Sequence, residues 1–122
     1  MKFTVFLPPI TKKNHQRILR NRRTGKPFVA PSKQYETYEA QALWFIPKGE
    51  CIDYPVNVKC LFYMPTRRRC DLTGLEQSID DIMVRAGLLK DDNYNIIAGH
   101  DGSRVLYDKD NPRTEVVITP IK

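Results

Sequence analysis

Six acidic side chains lie in a short stretch that begins directly after three consecutive arginines. The arginines are Arg67, Arg68 and Arg69, and the acids that follow are Asp71, Glu76, Asp80, Asp81, Asp91 and Asp92. Carboxylates gathered without histidine or thiolate are typical of a site for a hard cation such as Mg²⁺ or Mn²⁺. Such a cation activates water and neutralises the charge of a phosphodiester transition state. The same acids could equally belong to a solvated helix with an N-cap and a following turn, and spacing alone leaves both interpretations open.

The segment that carries the first of these acids has the pattern of an amphipathic helix. Its apolar side chains share one face at helical spacing, and they are Leu72, Leu75, Ile79, Ile82, Met83 and Ala86. The pattern predicts a helix over residues 72–86, with Gly87 placed to end it. The acids of this helix then fan along its polar flank, and the Asp91–Asp92 pair follows on a loop that can fold back along the helix.

A second charge cluster lies nearer the N-terminus. Between Thr11 and Lys33 the chain has eight basic residues and no acidic one, namely Lys12, Lys13, Arg17, Arg20, Arg22, Arg23, Lys26 and Lys33. Phosphate contacts made by such a segment release counterions and draw a protein onto nucleic acid. The net charge of +6 favours the same kind of partner. We expect a mobile connection or a loose hairpin here, and a merely soluble basic loop is the alternative.

Length and composition indicate one compact cytoplasmic domain. The 122 residues, of which 41% are hydrophobic, suit a single domain over residues 1–122. No apolar run approaches the ~20 residues of a membrane span, and the N-terminal stretch is too short and too interrupted by prolines for a signal peptide. The cysteines Cys51, Cys60 and Cys70 match no zinc or redox spacing, so we expect reduced packing residues.

The order of the predicted elements is strand, helix, strand, helix and then three strands. Strands are expected at residues 2–7, 54–65, 94–99, 103–107 and 114–119. The first helix is expected to run from an N-cap at Ser32 to a point before Pro47, and the second over 72–86. This order predicts a small α+β domain with one mixed β-sheet and two main helices.

Three stretches of the chain are similar to parts of one known family. An opening strand, a proline pair and a basic turn are found in FTVFLPPITKKN. A motif that starts at an aspartate and closes on AGLL and two aspartates is found in RRRCDLTGLEQSIDDIMVRAGLLKDD. A tail similar to that of a phage branch is found in IIAGHDGSRVLYDKDNPRTEVVI. Over nearly all of its length the chain therefore resembles the RusA family of Holliday-junction resolvases, small endodeoxyribonucleases of phages and prophages.

The resemblance implies roles for individual acids. With the AGLL segment aligned, Asp71 matches the family's first catalytic aspartate and Asp92 matches the last. Asp81 matches the aspartate of a Leu-Asp-Ala-Leu helix. The family's second catalytic aspartate falls on Thr73, and its essential lysine falls on Gln77. The chain therefore keeps two of the family's main acids and lacks one acid and the lysine.

These matches imply a Mg²⁺-dependent or Mn²⁺-dependent nuclease that cuts branched DNA in paired nicks as a homodimer. The implied metal ligands are Asp71, Asp80, Asp81, Asp91 and Asp92, and the implied catalytic residues among them are Asp71, Asp81 and Asp92. The polar side chains expected beside these ligands are Thr73 and Gln77. The implied DNA-binding residues are Lys12, Lys13, Asn14, Arg17, Arg20, Arg22, Arg23, Lys26, Arg67, Arg68, Arg69 and Arg104.

Two other interpretations stay open. Because one aspartate and the lysine are replaced, the chain could be a non-cleaving, regulatory phage DNA-binding protein on the same scaffold. A general RNA- or DNA-binding module is a third candidate, against which the lack of an RNP-like aromatic motif argues. The retained acids favour cleavage. We therefore predict that Asp71, Asp81 and Asp92 converge closely enough to share one or two divalent cations.

Overall fold

The computed structural model describes residues 1–12 and 16–121, apart from the side chains of Gln16, Arg17, Val29 and Pro31. In this part of the chain the elements are β1 (Lys2–Val5), β2 (Gln16–Arg20), β3 (Pro27–Pro31), α1 (Lys33–Ala42), a 3₁₀ turn (Leu43–Phe45), β4 (Val56–Met64), α2 (Leu72–Arg85), β5 (Ile97–Gly99), β6 (Arg104–Tyr107) and β7 (Arg113–Pro120).

Strand β4 is the centre of the main sheet. On one side it runs antiparallel to β7, which in turn pairs with β1. On its other side it runs parallel to both β5 and β6, which pair with opposite ends of the strand. The sheet is therefore mixed, as the element order predicts, and the fold is a small α+β fold. The link between β5 and β6 lies beside the middle of β4.

The core lies between the two helices and one face of the sheet. Every second residue of β4 is buried, and these residues are Val56, Val58, Cys60 and Phe62. The buried apolar side chains of α2 belong to the predicted stripe, with Leu75, Ile79, Ile82 and Met83 at most 2% exposed. Helix α1 adds Tyr35, Tyr38 and Ala42 to the same cluster. Burial of each large apolar side chain contributes about 1.5–3 kcal/mol, so this packing fixes the rotation of α2.

Both helices begin where the sequence predicts. The hydroxyl of Ser32 accepts the N–H of Tyr35 at 3.1 Å, and Asp71 Oδ1 accepts the N–H of Thr73 at 3.3 Å. These are N-cap bonds, which satisfy donors that the first helical turn leaves unpaired. At the other end of α2, Gly87 has a φ of 82°, the left-handed conformation expected just beyond a helix.

Strands β1, β4, β5 and β6 are shorter than the apolar pattern predicts, and at β1 and β5 an adjacent turn takes up the residues concerned. Strand β1 ends at Val5 because the N–H of Leu7 donates to the Val5 carbonyl at 2.9 Å. Strand β5 begins at Ile97, and not near residue 94, because the preceding residues form a turn. In that turn the N–H groups of Ile96 and Ile97 both donate to the Asn93 carbonyl, at 3.0 and 2.9 Å.

The basic segment forms a paired hairpin between β2 and β3. Five residues of each strand are in antiparallel register, from Gln16 opposite Pro31 to Arg20 opposite Pro27. Its turn is closed by Asn21, whose amide oxygen accepts the N–H groups of Arg23 and Thr24. Of the two forms expected here, the hairpin is therefore the observed one. In the described residues no helix is long and apolar enough to cross a bilayer.

Replacement of Gly87 tests how α2 ends. A Cβ built at Gly87 meets no atom within 4 Å, so Gly87→Ala should cost only the strain of the left-handed conformation, about 1–2 kcal/mol of unfolding free energy. Gly87→Asn is the matched control and should lose less, since asparagine tolerates this conformation. Urea unfolding of both variants measures the difference. Equal stability of the alanine and wild-type proteins would contradict the assigned helix end.

Candidate active site

The start of the basic segment is attached to helix α2. The backbone N–H of Lys12 donates to Ser78 Oγ at 3.0 Å, and the same hydroxyl donates to the Gly74 carbonyl at 3.1 Å. Thr11 packs next to Gly74, where a Cβ would lie 3.4 Å from Thr11 Cγ2, an ordinary van der Waals contact. Lys12 is therefore placed on the polar side of the helix, at the point where the chain leads into the hairpin.

Asp80 is the most deeply buried acid of α2. The residue is 7% exposed, and its Oδ2 atom lies 2.9 Å from Nε2 of His100. Its Oδ1 atom is buried and has no hydrogen-bond partner within the described residues. Burial raises the pKa of Asp80, an effect that the hydrogen bond from His100 opposes.

His100 is a site residue that sequence analysis missed. It follows β5, and its Nδ1 atom lies 3.0 Å from the carbonyl oxygen of Val58 on β4. Its hydrogen bond with Asp80 raises the pKa of His100, while partial burial lowers it. Because both ring nitrogens face acceptors, the doubly protonated imidazolium satisfies both contacts. In the sequence this histidine was visible only as the start of an Asp-Gly turn, which gave no sign of a pairing with α2.

Asp81 and Asp92 are brought together, as the returning loop after α2 requires. Burial raises the pKa of Asp81 most, and the charge of Lys12 lowers it. The charge of Asp92, and a hydrogen bond between the two carboxyl groups, raise the pKa of Asp81 further. The charge of Asp92 also raises the pKa of Asp80. These three carboxyl groups therefore form one electrostatically coupled group, which we call the acid cluster.

Glu76 extends this group toward the start of the helix. Partial burial raises the pKa of Glu76, and so do the charges of Asp80 and Asp71, whereas His100 lowers it. Sequence analysis counted Glu76 among the acids and did not assign it to the site. Its position one turn before Asp80 places it on the same side of α2.

The two remaining predicted ligands, Asp71 and Asp91, accept hydrogen bonds from groups close to them in the chain. Asp71 caps α2 through Oδ1, so the N-cap interpretation of this residue is correct for that oxygen. Asp91 uses both oxygens locally, with Oδ1 accepting the N–H of Asp92 at 2.7 Å and Oδ2 accepting the Asn93 amide at 3.1 Å. Over residues 1–12 and 16–121, no three histidine, cysteine or acidic side chains are arranged to hold a metal ion. The sharing of a cation by Asp71, Asp81 and Asp92 stays a prediction.

The acid cluster combines charge repulsion with burial. Three carboxyl groups repel one another, burial disfavours the ionised forms of Asp80 and Asp81, and one buried oxygen of Asp80 has no partner in the described structure. Asp71 and Asp92 are exposed, so the open side of the cluster can be reached from solvent. Thr73 and Gln77 are exposed on the same helix.

The predicted DNA-binding residues whose side chains the structure describes are exposed and lie in three parts of the chain. The hairpin and the residues before it carry Lys12, Arg20, Arg22, Arg23 and Lys26, the segment before α2 carries Arg67, Arg68 and Arg69, and β6 carries Arg104. The guanidinium of Arg67 stacks on the ring of Tyr107 at 4.2 Å. Two predicted DNA-binding residues, Lys13 and Asn14, lie outside the described residues, as does the side chain of Arg17.

The chain is similar to the crossover junction endodeoxyribonuclease RusA of Aquifex aeolicus (strain VF5). The two are 35% identical over 88 residues, which is 70% of this chain and 66% of the relative. The match thus spans just under two thirds of the relative's length. No family model matches the chain.

Removal of the Ser78 hydroxyl should loosen the attachment of Lys12. A typical intramolecular hydrogen bond contributes about 1 kcal/mol, so Ser78→Ala should speed hydrogen exchange of the Lys12 amide roughly fivefold. Thr37→Ala is the control, since Thr37 makes the same kind of bond to the Lys33 carbonyl of α1 at 3.0 Å. Unchanged exchange at Lys12 in Ser78→Ala would show that this contact does not hold the segment.

Proposed function

Because the chain belongs to the RusA family, we propose that it is an endodeoxyribonuclease that resolves four-way DNA junctions. The observation that carries the proposal is the acid cluster on α2 and its returning loop, next to exposed basic residues. The cluster offers ligands for a cation, and the basic residues offer contacts for phosphates. The name of the relative, a crossover junction endodeoxyribonuclease, supports the choice of substrate.

We infer that the cation is Mg²⁺, with Mn²⁺ as a substitute. Asp80, Asp81 and Asp92 would hold it, and Asp71 would join them at the open side of the site. When bound, such a cation supplies Lewis-acid activation of water and neutralisation of phosphate charge. Asp91 is assigned a supporting role, since its carboxylate holds the turn that positions Asp92.

The basic side chains of the protein would position the DNA strand that is cut. Lys12 lies close enough to Asp81 to lower the pKa of that carboxyl group, so a phosphate beside the acid cluster would also lie beside Lys12. The arginines before α2 are next to the start of the same helix, and Arg67 is oriented by its stack on Tyr107. The hairpin would extend the contact along the DNA backbone, where charge gives affinity without reading sequence.

We propose a homodimer, because symmetrical cuts in opposed strands need two sites held in a fixed relation. A twofold axis between two copies supplies that relation. Each copy would then contribute one acid cluster and one basic hairpin to the junction.

A non-cleaving DNA-binding protein is the second candidate, and a specific observation favours it. At Thr73 and Gln77, where the resemblance implies an aspartate and a lysine, the side chains are uncharged and exposed. A four-way junction incubated with the protein, with and without Mg²⁺, separates the two candidates. A shifted band with nicking in Mg²⁺ supports the resolvase, and a shifted band without nicking in Mg²⁺ or Mn²⁺ supports the second candidate.

Asparagine replacements should separate cutting from binding. A carboxylate next to a phosphate opposes binding unless a cation lies between them, so Asp71→Asn and Asp92→Asn should bind junctions in chelator as well as or better than wild type. In Mg²⁺ their nicking rate should fall by at least the ~10–100-fold that loss of a ligand's supporting partner costs. Quantified gels measure both. Asp110→Asn, in the exposed turn before β7, is the control, and normal cutting by both site variants would show that the site is elsewhere.

The basic hairpin should set the salt dependence of binding. Each duplex phosphate contact contributes roughly 0.9 to the slope of log affinity against log salt, so replacing Arg20, Arg22 and Arg23 with alanine should flatten that slope by up to roughly 2.7. The measurement is junction affinity across a salt series. Lys48→Ala, an exposed lysine after α1, is the control. A slope equal to that of wild type would exclude the hairpin from the interface.

A further inference from the structure

The hairpin of β2 and β3 is largely uncovered by the rest of the protein. Its two strands form a sheet of their own, separate from the main sheet around β4. Every residue from Ile18 to Phe28 is exposed, so this part of the hairpin lies outside the core. A two-stranded ribbon that no core covers is only marginally stable, and a partner that binds the folded hairpin stabilises it.

Large apolar side chains are exposed on both faces of this hairpin. Leu19 and Phe28 lie opposite one another in the antiparallel register, so they share one face, and they are 38% and 46% exposed. Ile18 is 76% exposed and points to the other face, since neighbouring residues of a strand alternate. Contact with one flat surface would cover only one of these faces. An opening with two walls would cover both.

The charges of the hairpin select the class of partner. The exposed basic side chains that flank the apolar ones are Arg20, Arg22, Arg23 and Lys26. Between Thr11 and Lys33 the chain has no acidic residue, so the hairpins of two copies would repel one another. A polyanion with flat apolar surfaces complements both the charges and the apolar side chains. Nucleic acid is such a polymer, because its phosphates are anionic and its bases present faces on which side chains stack.

A branch point offers base faces at a lower cost than a duplex does. Apolar side chains that enter a duplex must first unstack a base step. At the centre of a four-way junction the base stack is already interrupted, so the same insertion disrupts less. Enzymes that take a base out of the stack gain selectivity in this way, because a mismatched or single-stranded base is the easiest to extrude. A hairpin that inserts apolar side chains therefore prefers branched DNA over linear DNA.

We propose that the hairpin enters the branch point of a four-way junction, where Phe28 and Leu19 stack on the base faces of one side and Ile18 contacts those of the other. The inference rests on the proposed function, because it takes a DNA junction as the partner. It assigns the selection of branched DNA to these three side chains. The basic side chains beside them supply affinity for the phosphates of any DNA.

The test compares the affinity of the whole chain for a four-way junction and for a linear duplex, in chelator so that no strand is cut. Phe28→Ala should weaken junction binding roughly 5–100-fold, as loss of a stacking side chain does, and should change duplex binding less than about twofold. Because stacking releases no counterions, the slope of log affinity against log salt should stay as in wild type. Tyr54→Ala is the matched control, since Tyr54 is also 46% exposed and lies before β4.

A fluorescent purine analogue at the branch point measures insertion directly, because its emission rises when the base is unstacked. Wild-type protein should raise the emission, and Phe28→Ala should raise it less. Phe28→Thr keeps a residue that favours strands but has no ring, so it should behave as Phe28→Ala does even if alanine loosens the hairpin. Phe28→Tyr keeps the ring and should restore both the affinity and the emission.

Equal losses on junction and duplex would overturn the inference, as would wild-type junction affinity in both ring-free variants. A flattened salt slope in Phe28→Thr would also overturn it, since the ring would then act through the basic contacts. If Phe28→Ala keeps its junction affinity but no longer binds vesicles of anionic lipid, or sediments as a monomer where wild type is a dimer, the ring serves a membrane or a second copy instead. Wild-type protein that binds no four-way junction would overturn the inference together with the proposed function. Wild-type protein that binds junctions but never nicks them would overturn only the proposed cleavage.

Discussion

Helix α2 has to serve the core with one face and the acid cluster with the adjoining face, and Asp80 lies on the boundary between the two. Its neighbour Ile79 is 1% exposed in the core, whereas Asp81 is half-buried on the polar side. The rotation of the helix is set by its apolar stripe, because turning it would expose several large side chains at about 1.5–3 kcal/mol each. The positions of the acids on α2 are therefore set by the packing of its apolar face. Their repulsion and partial burial are imposed by packing, and the contact of His100 with Asp80 offsets part of that cost.

The elements with strong local patterns were predictable from sequence. Helix α2, its cap at Asp71 and its end at Gly87 follow from a clear apolar stripe and from cap residues, and the alternation of β4 gave both a strand and its buried face. The pairing of His100 with Asp80 was not predictable. It depends on β5 and β6 lying parallel to β4 along one edge. The periodicity of a segment does not indicate which strands become its neighbours in a sheet. The Asp-Gly turn at residues 100–103 was visible in the sequence, where it indicates a hairpin, but it joins two strands that both run parallel to β4 and form no hairpin.

The two interpretations of the acids proved to be compatible at some positions. Asp71 is an N-cap, and its charge also raises the pKa of Glu76, so capping leaves it close to the other acids. Asp91 differs, because both of its oxygens hold the turn that carries Asp92. The adjacent aspartates Asp91 and Asp92 therefore differ. Asp91 holds the turn, and Asp92 belongs to the acid cluster. Spacing could not distinguish them, since the difference lies in the hydrogen bonds that the Asp91 carboxylate accepts from Asp92 and Asn93.

Gly74 lies where helix α2 contacts the N-terminal segment that contains Thr11 and Lys12. Thr11 packs against this position, and a Cβ there would be in contact with its methyl group, at 3.4 Å. Alanine would fit, but a longer side chain would have to displace the segment that Ser78 holds. Substitutions that enlarge position 74 and substitutions at Thr11 should therefore change stability non-additively.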